Sequence, residues 1–498
     1  MVPLALSLDP RSSTPLHRQL YDEIRAAVLT GRLSASARLP SSRALAADLA
    51  ISRNTVAGAF DQLLAEGYIE SRPGAGTFVA KELPEELLRV SPGAPTSAAH
   101  GTLAPQLSNR GRMLASTPVA PSTRDGASAC AFRPGIPALD AFPRDLWARI
   151  AARQYRQSKF DIFSYGDPAG HPPLRRAIAE YLRAARGVNC TWEQVIVTSG
   201  SQQALDLAAR VLLDPGDTAW VEDPGYFGAR GAWTAAGVTC MPVPVDAEGL
   251  SVAQGELLAP QARMVYVSPS HQYPLGVTMS LARRMALLAW ARRGGAKVLG
   301  RWIAEDDYDS EFRYSGRPLA ALQGLDTGGR VIYIGTFSKV LFPALRLGYM
   351  VVPAGTVDAF AGARALADRH PPGPSQALVA EFLMEGHFAR HVRRMRTLYA
   401  ERQAALISAA RREWDGLLEV SPADAGMHLV AWLPEGTSDR EASNRAAAAG
   451  VSAPPLSAYC HAAIHGAIAR PALLLGYSAV NARKIQEGAR RLSVAMLN

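Results

Sequence analysis

From about residue 129 onward, short apolar runs alternate with longer amphipathic stretches, and this alternation constrains the fold more than any other feature. Val195-Ile196-Val197, Ala219-Trp220-Val221, Met264-Val265-Tyr266-Val267 and Val331-Ile332-Tyr333-Ile334 read as buried strands, too short to be core helices. The stretch 375–415 reads as helix and Leu473-Leu474-Leu475 as a late strand. Strands interleaved with amphipathic segments predict an α/β domain. No internal repeat is visible.

At 498 residues the chain is long enough for two to three domains. Its 48% hydrophobic and 19% charged residues are ordinary for a soluble globular protein. No apolar run approaches the ~20 residues that cross a bilayer, and Met1 to Pro10 lacks the basic start of a secretory signal. Cys130, Cys190, Cys240 and Cys460 are far apart and form no CxxC pair. They read as reduced thiols of a cytoplasmic protein, with no metal site. The net charge of +9 hints at nucleic acid, but residues 1–80 carry eight Arg against seven Asp and Glu. Pattern, rather than composition, must identify any DNA-binding part.

Three zones divide the chain: a helix-rich head over 1–80, a linker dense in Pro, Ser, Ala and Gly over 81–128, and the α/β region over 129–498. In the head, Leu16, Leu20, Ile24 and Val28 give one buried helical face. Ser41 or Ser42 can cap a second helix, and Ser52 a third that begins Arg53-Asn54-Thr55 and stops at Gly67. Tyr68 to Arg72, Pro73-Gly74-Ala75-Gly76 and Thr77-Phe78-Val79 read as a hairpin. Three helices and a hairpin make a winged helix-turn-helix, whose third helix enters the major groove of DNA. Arg38, Arg43, Arg53 and Arg72 stand at capping and wing positions with no acid beside them.

Leu39-Pro40-Ser41-Ser42-Arg43, Ser52-Arg53-Asn54-Thr55-Val56, Glu66-Gly67-Tyr68-Ile69 and Arg72-Pro73-Gly74-Ala75-Gly76-Thr77-Phe78-Val79 resemble the GntR family of bacterial repressors. The resemblance implies contacts to operator DNA from Arg43, Arg53, Thr55, Arg72 and the wing around Gly74. Ala57 stands where some relatives have a further arginine.

In the α/β region, Val331–Ile334 runs on through Gly335-Thr336-Phe337-Ser338 to Lys339, with Arg346 seven residues later. This is the layout of a pyridoxal phosphate (PLP) aldimine site. Such a site needs a lysine, an acid for the pyridine nitrogen, a stacking group, a partner for the 3′-oxygen and a phosphate cup. Thr198-Ser199-Gly200-Ser201-Gln202 opens a helix after a strand and can supply the cup. Thr336, Ser338 and Arg346 add hydroxyls and a charge. Asp306 and Asp307 end an apolar stretch, next to Tyr308, and Asp223-Pro224-Gly225-Tyr226 can present an aromatic ring.

With Tyr165–Gly170, Ser268–Gly276, Glu305–Tyr314 and Leu345–Met350, these segments resemble fold-type I aminotransferases. Together with the head, the whole chain resembles the MocR subfamily of GntR regulators. The resemblance implies Lys339 as aldimine lysine, Asp306 as pyridinium partner, Tyr308 on the 3′-oxygen and Tyr226 stacked on the ring. It gives Ser201, Gln202, Ser338 and Arg346 to the phosphate, and Tyr165 to the phosphate of a neighbouring protomer in a head-to-tail homodimer. Two departures stand out. Tyr273-Pro274 replaces an asparagine-proline pair, and Arg470 is the one arginine near the late strand, where aminotransferases bind substrate carboxylate. The expected protein is a PLP-dependent regulator that senses an amine or amino acid, or PLP itself. The alternative is a working aminotransferase with an appended head.

Overall fold

The computed structural model describes residues 6–83, 106–117, 131–157, 160–293, 300–316, 319–461 and 470–497. The chain forms two units, Met1–Gln106 and Leu107–Asn498.

In the first unit, α1 (Leu16–Leu29) buries Leu20, Ile24 and Val28 along one face. α2 (Ser42–Asp48) starts at Ser41, whose hydroxyl accepts from Ala44 N at 3.2 Å. α3 (Arg53–Ala65) starts at Ser52, which accepts from Thr55 N at 3.1 Å. Each cap satisfies a backbone N–H that the helix start leaves without a partner. β1 (Ile69–Arg72) and β2 (Gly76–Val79) pair antiparallel with Arg72 opposite Gly76. Between them Gly74 turns the chain at φ +76°, a conformation that costs glycine little. Leu20, Ile24, Val56, Leu63, Tyr68 and Val79 share one core. This is a winged helix-turn-helix.

The second unit is built on β3 (Val195–Thr198), β4 (Thr218–Asp223), β5 (Thr239–Asp246), β6 (Gly249–Leu250), β7 (Met264–Val267), β8 (Trp302–Asp307), β9 (Val331–Thr336) and β10 (Gly348–Val351). They form one sheet in the order β3-β10-β9-β8-β7-β4-β5-β6. β9, β8, β7, β4 and β5 run parallel. β10 is antiparallel to both β9 and β3, and the two reversals return β3 to the common direction. The carboxyl ends of β3, β4, β7, β8 and β9 therefore lie along one edge. Period-two alternation splits the strand residues between two cores. Ile332 and Ile334 pack with Tyr266, Leu205 and Ala208 on one face, while Val331 packs with Val265, Ile303 and Trp290 on the other.

A smaller antiparallel sheet follows: β11 (Glu419–Val420), β12 (His428–Trp432) and β13 (Ala472–Gly476). Here the expected single helix over 375–415 is two, Gly373–Met384 and His387–Glu413, because Gly386 takes φ +71° and ends the first ladder. Within the expected linker, Asn109–Ser116 is helical. The rest of that segment between 84 and 105 and between 118 and 128 lies outside the described residues, as does Cys130. Cys190, Cys240 and Cys460 are free thiols. Among the described residues no helix is long and apolar enough to cross a membrane.

Candidate cofactor site and DNA-binding head

Open α/β sheets bind ligands beyond the carboxyl ends of their strands, and the candidate residues gather at that edge. Lys339, just past β9, donates from Nζ to the carbonyl of Gly135 at 2.9 Å. Burial pushes its pKa down, opposed by the carboxylates of Asp309 and Asp306. Gly135 is required there: at φ +76°, a Cβ would stand 2.8 Å from Nζ.

Asp306 and Asp307 are successive residues of β8, so they point to opposite faces. Asp307 Oδ2 accepts from Arg186 Nε at 2.7 Å and from Tyr333 Oη at 2.6 Å. Arg186 also donates to Leu319 O and Ser270 Oγ, which makes this a buried ion pair within the scaffold. Asp306 faces the lysine. Tyr266 Oη donates to its Oδ2 at 2.9 Å, while Oδ1 is buried with no partner among the described residues. Burial pushes its carboxyl up to about 7, with Tyr266 and Lys339 pulling down and Asp307 pushing up.

At the end of β3, Gly200 at φ +114° precedes the helix Ser201–Leu212. A Cβ on Gly200 would lie 3.6 Å from a guanidinium nitrogen of Arg346, and one on Gly348 only 2.9 Å from the Gly200 Cα. The helix start and Arg346 thus form one cup. Gln202 Nε2 donates to Gly228 O at 2.9 Å, and Tyr226 Oη lies 3.5 Å from Gln202 Oε1. Burial pushes the Tyr226 phenol up to about 12, with Asp306 adding and Arg346 opposing. Ser338 N donates to Thr336 Oγ1 at 3.2 Å.

Tyr308 Oη is 2.9 Å from His271 Nδ1. Tyr273 is the hub of an aromatic wall: its ring packs edge-on against Tyr308, Tyr226, His428 and Tyr459, and its hydroxyl is 3.2 Å from that of Tyr459. His428 is held down to about 4 by burial, with His271 adding to the effect, and so is neutral.

Two predicted residues stand apart from this cluster. Tyr165 is 76% exposed and contacts Arg369, 4.5 Å over its ring, and His370. Arg470 pairs with Glu419 at 2.5 Å, donates to Leu433 O and lies over Trp432. It sits near the Ala472 end of β13, opposite to the Gly476 end that abuts Arg133 and Pro134. Nothing in the sequence marks His271, Asp309, Tyr266 or Gly135 as part of a site: His271 lies within Ser268–Gly276 and Asp309 within Glu305–Tyr314, but spacing gives no sign of their pairing.

In the head, Arg43 and Arg53 are exposed and have no partner among the described residues. Thr55 Oγ1 is 2.9 Å from the Ser52 hydroxyl. The expectation that no acid stands beside the four arginines fails at Arg72, which pairs with Glu70 at 2.5 Å and lies 4.7 Å over Phe78. Residues two apart on a strand share a face. Arg38 bridges to β2 opposite Phe78, its guanidinium against Gly76.

Two family models match the chain: bacterial regulatory proteins of the gntR family over residues 16–79, and aminotransferase class I and II over 140–458. The probable rhizopine catabolism regulatory protein MocR of Rhizobium meliloti is 43% identical over 99% of this chain and 96% of its own. The transcriptional regulator TauR of Rhodobacter capsulatus is 33% identical over 98% of each chain. Among solved structures, the α-aminoadipate aminotransferase LysN of Thermus thermophilus, complexed with N-(5′-phosphopyridoxyl)-L-leucine, is 31% identical with a TM-score of 0.68, covering 77% of this chain and 96% of that one. The kynurenine aminotransferase of Pyrococcus horikoshii is 30% identical with a TM-score of 0.67, covering 74% and 91%.

Pyridoxal phosphate is the cofactor of this domain class. The residues present fit it: a primary amine with lowered pKa, a buried acid with one oxygen that has no partner among the described residues, and a cationic cup at a helix N-terminus. The chain belongs to the MocR-type GntR transcriptional regulators, which join a winged DNA-binding head to an aminotransferase-like domain.

Proposed function

We propose that this regulator senses a small amine or amino acid, or pyridoxal phosphate itself, through Lys339, and converts that event into altered operator binding. The observation that carries the reading is that buried Lys339, whose charged form burial disfavours, feels the charge of Asp306, whose Oδ1 is buried with no partner among the described residues. When bound, the cofactor supplies a carbonyl carbon that amines exchange on and a ring that draws off electrons. Lys339 Nζ is the group that would hold the cofactor. Asp306 would accept from the pyridine N–H through Oδ1, Tyr226 would cover the ring face, and Tyr308 would donate to the 3′-oxygen. Ser201, Gln202, Ser338 and Arg346 bind the phosphate, and the exposed Tyr165 reaches the phosphate of a partner protomer in a cytoplasmic homodimer.

At the head, exposed Arg43 and Arg53 reach DNA along with Thr55, Arg72 and the Gly74 turn. The N-terminal residues of α3 meet base edges and the wing meets phosphates. Arg72 must exchange Glu70 for DNA to do so.

Lys339→Ala tests the sensing step. The variant should lose the near-visible absorption of lysine-bound cofactor and all response to effector, while binding operator DNA as the wild type does. A variant that responds normally refutes the mechanism. Sustained turnover of amino donors with 2-oxo acids, at kcat of roughly 1–10³ per second, would mark an enzyme instead.

A further inference from the structure

His271 has no part in the reading above, yet it is only 3% exposed and sits at the centre of the site. Its Nδ1 lies 2.9 Å from Tyr308 Oη and 3.1 and 3.0 Å from the two oxygens of Asp309. Asp309 is 1% exposed. On the far side of the ring, Nε2 is buried with no partner among the described residues. Two glycines close that side: a Cβ on Gly276 would stand 3.2 Å from Nε2, and one on Gly426 2.1 Å from Cε1. The imidazole is therefore clamped.

One ring nitrogen offers either one hydrogen or one lone pair. Suppose Nδ1 were bare and accepted from Tyr308. Its lone pair would then face the Asp309 carboxylate, and the proton on Nε2 would be a buried donor with no acceptor, an arrangement that is costly twice over. With the proton on Nδ1, donated to Asp309, the carboxylate is satisfied and Nε2 is left only as an unused acceptor. The hydrogen bond that one nitrogen makes fixes the tautomer of the ring. In that state Tyr308 cannot donate to His271, and its own hydrogen is free to point into the site.

We propose that Asp309 and His271 are positioning residues that fix Tyr308 as a hydrogen-bond donor to the phenolic oxygen of the cofactor. The inference rests on the assignment of pyridoxal phosphate to Lys339. The other groups facing Tyr308 are Asp306, Glu222 and Tyr273, with neutral His428 5.5 Å from His271 between ring centroids. None of them competes for the hydroxyl hydrogen: among the described residues, His271 is the hydrogen-bond partner of Tyr308.

A donor aimed at the phenolic oxygen favours its deprotonated form, so removing it raises the pH at which the bound chromophore takes up a proton. Cofactor-loaded, full-length protein is titrated with the absorbance of the bound cofactor as readout. Tyr308→Phe should raise the midpoint by about one pH unit, roughly tenfold in proton affinity. Asp309→Asn preserves shape but removes the anion that holds the proton on Nδ1, so that the other tautomer leaves Nδ1 bare to accept from Tyr308, as the same substitution changes the tautomer in a serine-protease triad. It should raise the midpoint similarly and add nothing in a Tyr308→Phe background. A wild-type midpoint in Asp309→Asn, or full additivity, overturns the proposal. Where Asp309→Asn does not hold cofactor, nitrogen-15 shifts of His271, assigned by difference against His271→Asn, decide it: a proton on Nδ1 supports the proposal and one on Nε2 refutes it. Wild-type protein with no lysine-bound cofactor band would refute the cofactor assignment rather than the role of His271.

Discussion

Replacing Asp306 by Asn should stabilise the cofactor-free protein while weakening its grip on the cofactor. Burial pushes the Asp306 carboxyl from its ordinary 3.8 up to about 7, with Tyr266 and Lys339 opposing and Asp307 adding to the rise. The unfolded chain has the ordinary value. Between about pH 4 and about pH 7 the folded state therefore binds the proton more tightly than the unfolded state. Stability must fall as pH rises through that window and stay low above it. At 1.36 kcal/mol per pH unit, the full penalty is about 4 kcal/mol above pH 7.

Asparagine keeps the shape and can still accept from Tyr266, but it carries no charge to bury. Asp306→Asn should recover up to about 4 kcal/mol above pH 7 and nothing near pH 4. Urea unfolding of the cofactor-free full chain measures this directly. All eight tryptophans lie between residues 147 and 432, so their fluorescence reports the second unit alone. The same variant loses a charge-assisted hydrogen bond worth about 1.5–3 kcal/mol to the cofactor, roughly 10- to 100-fold in affinity. A gain in stability that does not change with pH, or a loss above pH 7, would refute the argument that the site holds this carboxyl against its solvation.

Arg186→Met should destabilise the second unit by about 3–5 kcal/mol in the same urea assay, because it leaves Asp307 buried without its cation; a loss under about 1 kcal/mol would contradict the scaffold role of that pair. In the head, Arg53→Ala should weaken operator binding across all salt concentrations and, if Arg53 meets a phosphate, flatten the salt dependence by about one counterion. Unchanged affinity in a fluorescence-anisotropy titration would remove Arg53 from the interface.

What the sequence made legible is what is determined locally. Ser41 and Ser52 announce helix starts because a cap is a bond to a backbone N–H three residues on. The runs Val195–Val197, Met264–Val267 and Val331–Ile334 are readable as strands because each is apolar throughout, whichever way a residue faces. The break at Gly386 was not readable: a glycine inside an apolar-periodic stretch can be tolerated or can turn left-handed, and tertiary packing decides. Adjacent Asp306 and Asp307 could not be told apart for a similar reason. Strand parity sends them to opposite faces, but which face holds Arg186 depends on where a helix ending 121 residues before Asp307 packs. The contacts of Lys339 with Gly135 and of His271 with Asp309 and Tyr308 span loops from different strands and leave no periodic trace.

The two departures from the aminotransferase pattern bear on the proposed choice between sensing and turnover. Arg470 is committed to Glu419, Leu433 and Trp432, away from the Gly476 end of its strand, and so does not offer its guanidinium to a carboxylate beside Lys339. The charges that act on Lys339 are themselves carboxylates, Asp309 and Asp306. Where an asparagine amide would stand, Tyr273 instead ties the Tyr226, Tyr308 and His428 rings to Tyr459. An amine bound as proposed would meet a wall of rings and hydroxyls, and the carbonyl of Tyr459 in turn accepts from the backbone N–H of Gly225. Catalysis requires groups that bind the transition state more tightly than the ground state. Sensing, the role proposed above, requires only that the amine favour one arrangement of the protein over another, and the packed rings around Tyr273 are where an amine at Lys339 would have to act for that proposal to hold.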